Sequence, residues 1–239
     1  MKRNCPKGDK FEESLRFNDY FDKYNKLMEK NLWILAPSGN ISYFSQHKIS
    51  ILKKILPENP RNILEYGCGI GNNLYFIRQF FPDAQIWGCD TSEKSINVAR
   101  NQFPDIQFFL ISDNNDSDSK FDCVLVGDVV HHILLDERSY YLKRIIDYIR
   151  PGGYCVFFEH NPYNPLTRFL VSTCPFDEQA VLLTLGQMKS LLSANGLKII
   201  ESKYCFYFPE FLRSLDRFED YFSKIPLGGK YYVLAIKNP

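Results

Sequence analysis

Glu65, Gly67, Gly69, Gly71 and Asp90 are the residues whose types and spacing most sharply restrict a ligand. The run Ile63-Leu64-Glu65-Tyr66-Gly67-Cys68-Gly69-Ile70-Gly71-Asn72 takes a strand into a glycine-rich turn and then a helix. In an open α/β sheet, nucleotides bind at such a turn. A dinucleotide fingerprint needs Gly-x-Gly-x-x-Gly, whereas these glycines alternate and Asn72 stands where the third would fall. Glu65 places a carboxylate just before the loop, where a pyrophosphate would meet like charge. A cationic ligand is expected instead. Asp90, 19 positions after Gly71, fits a carboxylate that holds two ribose hydroxyls. S-adenosylmethionine suits all three features, because it carries an α-ammonium, a sulfonium and no phosphate.

The elements that must position these residues follow from the apolar pattern. Short apolar runs predict strands at Asn62–Tyr66, Gln85–Cys89, Ile106–Ile111, Cys123–Gly127 and Tyr154–Glu159. Helical periodicity predicts helices near Asn73–Phe80, Lys94–Arg100 and Arg138–Ile149, the last stopped by Pro151-Gly152-Gly153. The alternation of strand and helix predicts a parallel sheet. Downstream, Thr184 and Gln187 form a capping box for a helix that Gly196 ends. Strands at Leu197–Tyr204 and Tyr231–Lys237 follow, while Phe206–Leu227 is too aromatic and proline-broken to assign. Ahead of the sheet, Phe17–Leu32 is periodic enough for an amphipathic helix, and a second helix runs from an Asn40 cap to Pro57. The expected organisation is a helical cap or lid over residues 1–60 and a catalytic domain over residues 61–239.

These residues together resemble the class I S-adenosylmethionine-dependent methyltransferase family, whose first motif is an acidic residue followed by Gly-x-Gly-x-Gly. The run from Phe121 to Val126 followed by Val130-His131-His132-Ile133 is similar to the family's fourth strand, and Ile149-Arg150-Pro151-Gly152-Gly153 to the turn before its fifth. The resemblance implies an α/β, Rossmann-like doubly wound sheet of about seven strands, mostly parallel with an antiparallel last strand. It also implies methyl transfer from S-adenosylmethionine. Gly67 and Gly69 would contact the methionine moiety, Asp90 the ribose and Asp113 the adenine edge, and Glu65, Cys68, Gly71, Thr91, Asp128 and His131 complete the expected cofactor set. Between Asn114 and Lys120 the chain departs from the family's usual apolar loop.

Methyl transfer from a sulfonium is an in-line displacement that requires no metal, and alignment carries most of it. No metal site is expected. An acceptor hydroxyl must lose its proton, for which a histidine is the natural base. Of His47, His131, His132 and His160, the last follows strand five in a proline-pinned segment and is the expected catalytic base. Tyr43, Tyr163, Asn164 and Arg168 are the expected acceptor contacts, with core packing the rival reading for Tyr43 and a surface ion pair for Arg168. The Asn-Pro-rich stretch after strand five and Cys174-Pro175-Phe176-Asp177 resemble bacterial methyltransferases of glycan or secondary-metabolite assembly. That tilts the acceptor toward an oxygen of a sugar-like small molecule. The alternatives are an RNA or protein methyltransferase and a non-catalytic nucleotide-binding module on a Rossmann-like sheet.

Charge supports the small acceptor. The net charge is +1, from 29 basic and 28 acidic residues, so no global field would gather nucleic acid or an anionic membrane. Seven cysteines with no Cys-x-x-Cys pair argue against a disulfide framework and against a zinc site. A polar amino terminus and no long apolar run lead to an expected cytoplasmic protein without membrane insertion.

Overall fold

The computed structural model describes residues 35–36, 42–111, 120–174 and 177–238. The helix expected at Phe17–Leu32, the Asn40 cap and Asp113 lie outside the described residues.

Seven strands form one sheet: β1 (Asn62–Tyr66), β2 (Gln85–Asp90), β3 (Gln107–Leu110), β4 (Phe121–Gly127), β5 (Ile149–His160), β6 (Leu197–Cys205) and β7 (Lys230–Lys237). Their order is β3-β2-β1-β4-β5-β7-β6. Strands β1 to β5 are parallel, and β7 runs antiparallel to both β5 and β6. The expected Rossmann-like sheet with a reversed last strand is therefore observed. The strand order reverses between β1 and β4, which is where a doubly wound sheet opens a crevice at its carboxyl edge.

Helices cover both faces. On one side lie α1 (Ser42–Ile55), α2 (Asn72–Phe80) and α3 (Glu93–Gln102), burying Ile49, Leu52, Leu74, Ile77 and Ile96 against Ile63, Cys123 and Leu125. On the other, α4 (Arg138–Tyr148) and α6 (Leu185–Ala194) bury Leu142, Ile145, Met188 and Leu192 against Leu64, Val124 and Val126. Neighbours along β1 and β4 thus alternate between two cores, as a pleated strand buried on both faces must. Ile49 and Leu52 of α1 share a core with Ile63 of β1.

Two differences from the sequence reading have local causes. Pro151-Gly152-Gly153 does not end before a strand but lies inside β5, whose register with β4 shifts between Phe121 and Cys123. A glycine pair tolerates that irregularity, and Gly152 takes a φ of 71°. The segment after β5 is not all loop. Asn164 accepts from the Thr167 amide at 2.9 Å and caps α5 (Pro165–Thr173), with Pro165 at its first turn. The aromatic stretch 210–222 forms a 3-10 helix over Glu210–Phe218 and the short α7 (Glu219–Phe222).

Candidate cofactor and acceptor site

Parallel pairing brings the ends of β1, β2, β4 and β5 to one edge, since Tyr66 pairs Cys89 and Val126, and Gly127 pairs Phe158. Glu65, Asp90, Asp128 and His160 therefore line the same carboxyl edge. The glycine loop is held down there by the Gly67 and Cys68 amides, which both donate to the Cys89 carbonyl. Gly67 has a φ of 76°, and a Cβ on it would stand 2.5 Å from a Val129 methyl. Gly69, at a φ of 54°, would meet nothing within 4 Å, so its backbone borders open space. The cradle has room where a ligand would approach and none where the loop meets β4. Cys68 turns inward, buried in the core beside Gly88, and burial pushes its thiol well up. A reactive thiol needs the opposite.

Glu65 alternates onto the face covered by α1 and α2 and is 2% exposed. Its Oε1 accepts from Asn73 Nδ2 at 2.5 Å, while its buried Oε2 has no hydrogen-bond partner among the described residues. Burial raises its pKa to about 7, against the Asn73 hydrogen bond and the Lys48 charge. An orphaned carboxyl oxygen beside a glycine cradle, whose ionised form lacks a countercharge bonded to it, fits a cationic ligand group. Asp90 accepts from the Gly69 amide at 2.8 Å and the Ser92 amide at 2.9 Å, which ties the glycine loop to β2. A carboxylate has about four acceptor positions, so these bonds leave capacity for hydroxyls. Thr91 is exposed just beyond it. Gly71, at a φ of 90°, starts α2 with no space for a side chain against Phe103.

At the β4 and β5 ends the polar groups are more densely paired than the sequence suggests. Asp128 has a φ of 60° and bonds Lys48 Nζ at 2.8 Å through Oδ2 and Lys230 Nζ through Oδ1. Burial alone would raise its pKa, but the two lysines hold it well below the usual carboxylate range. Both oxygens are thus engaged by the chain itself. His160 Nε2 lies 3.9 Å from Asp128 Oδ1. Burial and the Lys230 charge keep its pKa well below the ordinary histidine value.

His131 is 1% exposed, with Nδ1 2.5 Å from Glu159 Oε2 and Nε2 3.5 Å from Asp177 Oδ1. Although burial alone would lower its pKa, the Glu159 carboxylate and then Asp177 raise it to about 10. His132 shows the reverse: burial and then His131 lower it to about 4. No spacing in the sequence joins these residues to Asp177, and their convergence, like the roles of Lys48, Lys230 and Glu159, appears only in the fold.

The expected acceptor contacts are scattered. Tyr43 is buried, and its hydroxyl donates to Asp216 at 3.0 Å, an arrangement that fits the packing reading. Asn164 caps α5 and donates to the Leu227 carbonyl at 2.5 Å. Tyr163 and Arg168 are exposed on either side of it.

Comparison with known proteins agrees with this geometry. The family model for a methyltransferase domain matches residues 40–202, more than half of the chain. A trans-aconitate 2-methyltransferase of Methylobacterium radiotolerans is 30% identical over 103 residues, covering 43% of this chain and 39% of that protein. A tRNA N(3)-methylcytidine methyltransferase of Drosophila melanogaster is 27% identical over 160 residues, covering 58% of this chain and 49% of that one. The match thus spans less than half the length of either relative. A solved S-adenosylmethionine-dependent methyltransferase from Archaeoglobus fulgidus superposes with a TM-score of 0.66 at 14% identity, over 86% of this chain and 97% of that one. No helix among the described residues is long and apolar enough to cross a membrane. With the sheet order, the acid–glycine cradle and the family match in agreement, the chain belongs to the S-adenosylmethionine-dependent methyltransferases, and its cofactor is S-adenosylmethionine.

Proposed function

We propose that this chain transfers the methyl group of S-adenosylmethionine to an oxygen of a small, polar, sugar-like acceptor. The observation that carries the reading is the single carboxyl edge on which Glu65 and Asp90 stand at β1 and β2 while His160 stands at β5. Glu65 is assigned to the α-ammonium, Asp90 to the ribose hydroxyls, and the Gly67 and Gly69 backbone to the methionine portion. The cofactor supplies a methyl carbon already activated on a sulfonium, so the chain's contribution is alignment and water exclusion. His160 stands where an acceptor proton can be received. Tyr163 and Arg168 supply exposed polar groups on the same side of the chain's sequence, beyond β5.

A balanced charge of +1 and the trans-aconitate relative favour a small acceptor, while the tRNA relative favours RNA as the second reading. Incubating the full chain with labelled cofactor and separated small-molecule and RNA fractions of cell extract discriminates them. Label in a single small metabolite is the expected result. Label in RNA, with transfer that weakens steeply with salt, would replace the reading. Thermal shifts with S-adenosylhomocysteine and with NAD test the non-catalytic alternative, since stabilisation by the dinucleotide alone contradicts the cofactor assignment.

Asp90→Ala removes a charged hydrogen-bond partner and should weaken S-adenosylhomocysteine binding by about 1–3 kcal/mol, measured by calorimetry. Unchanged affinity would remove Asp90 from the ribose site. His160→Ala should reduce turnover by roughly 10²–10⁴-fold while leaving cofactor affinity nearly intact. Full turnover by the variant would retire His160 as base.

A further inference from the structure

We propose that His131, His132 and Asp177 form a binding site for one divalent transition-metal ion, with zinc the best fit. The two imidazole Nε2 atoms each lie 3.5 Å from the same oxygen, Asp177 Oδ1. One ligand atom from each of the three residues falls within 4.8 Å of the others. A separation of 3.5 Å is long for a charge-assisted hydrogen bond, which runs at about 2.7–2.9 Å. It is close to the edge of a tetrahedron around zinc, roughly 3.3 Å when metal–nitrogen and metal–oxygen bonds are about 2.0–2.1 Å.

The surroundings carry the features that orient a metal-ligating histidine. Glu159 is buried, and its Oε1 accepts from the Val129 and Val130 amides at 3.1 and 2.6 Å. Its Oε2 faces His131 Nδ1 at 2.5 Å. An anchored acceptor on Nδ1 keeps a hydrogen there and fixes the ring with Nε2 toward Asp177, so a metal ion binds by displacing the Nε2 proton, in the carboxylate–histidine arrangement that accompanies metal ligation. The frame is equally fixed. Arg138, 4% exposed, donates to the Ile133 carbonyl at 3.0 Å and the Val181 carbonyl at 2.6 Å, and the Val181 amide donates to the His131 carbonyl. The histidine pair and the segment that carries Asp177 are thereby clamped together.

Two imidazoles and one carboxylate suit a borderline ion such as zinc better than magnesium or calcium, which prefer all-oxygen shells. His132 is 28% exposed, so one side of the ligand set faces solvent, from which water can supply a further ligand. The His131 ring also lies 5.1 Å from the His160 ring. Metal binding does not depend on the acceptor reading, and it is measured without methyl transfer.

The test uses the full chain, stripped with a chelator and desalted, then titrated with zinc chloride against a chromophoric zinc chelator. Saturable binding of one equivalent is expected. His132→Gln and Asp177→Asn, both at partly exposed positions, should each weaken binding at least tenfold while keeping the circular dichroism of the parent. Cobalt(II) serves as the spectroscopic probe, and visible bands without thiolate-to-cobalt charge transfer are expected. Cys174→Ser should bind as the parent does. No saturable binding, retention of binding in both ligand variants, or a thiolate signature would each overturn the site.

Discussion

Asp128→Ala is expected to destabilise the chain by about 3–5 kcal/mol, the usual cost of leaving a buried charge without its partner. Two cations depend on this carboxylate. Lys48 is 7% exposed and bonds Oδ2 at 2.8 Å, and Lys230 is 13% exposed and bonds Oδ1. Neither ammonium can return to water without moving α1 or β7. The backbone makes the argument sharper, because Asp128 holds a φ of 60° that glycine adopts freely. Asp128→Gly relieves that strain, by about 1–2 kcal/mol, yet should still unfold earlier than the parent. A loss larger than the roughly 1 kcal/mol that glycine's freedom in the unfolded chain can cost is then due to the charge. Adding Lys48→Met to Asp128→Ala should recover part of the deficit, since it removes one of the stranded cations. Urea unfolding with matched m-values measures all four proteins. A midpoint for Asp128→Ala equal to the parent's would show that the two lysines find solvent, and the hub would be dismissed.

This hub also shows why some of the site was legible in the sequence and some was not. Strands β1 and β4 are short apolar runs whose residues alternate between two cores, so Leu64 and Val124 announced them. The glycine cradle was legible because its demands are local: Gly67 and Gly71 take positive φ angles within one turn. Lys48 was not. It sits on an amphipathic helix and meets Asp128 80 positions later, and nothing in its own neighbourhood distinguishes it from Lys53 or Lys54. His131 and Asp177 pose the same problem, since their convergence depends on the path of the chain after α5. The helix α5 itself could have been read. Asn164 followed by Pro165 is a cap followed by a first-turn proline, a start signal that the neighbouring prolines disguised as loop. Tyr43 reads as an acceptor contact or as core because an aromatic side chain ahead of a sheet serves either purpose, and its bond to Asp216 is visible only in the fold.

Glu65→Gln should move two measurements in opposite directions: the unliganded chain gains stability while cofactor affinity falls. Burial raises the Glu65 pKa to about 7, well above an unfolded glutamate near 4.3. Between those values the folded chain binds more protons than the unfolded one, so stability falls as pH rises through that window. Fully ionised, the group costs the fold about 4 kcal/mol, and its Oε2 remains unpartnered among the described residues. A neutral glutamine removes that penalty and keeps an acceptor for Asn73, so the apo melting temperature at pH 8 should rise. The same neutrality removes the charge assigned to the α-ammonium, and affinity should drop about 10–100-fold, equivalent to about 1.4–2.8 kcal/mol. In the parent, binding of S-adenosylhomocysteine should tighten as pH rises through about 7 and then level off, because the ammonium draws Glu65 into its ionised form. The variant should lose that dependence. Calorimetry across pH 5.5 to 8.5 provides the check. If the glutamine variant bound as tightly as the parent with the same pH profile, the ammonium would have to be held elsewhere, and the orphaned oxygen would be only a strained remnant of burial.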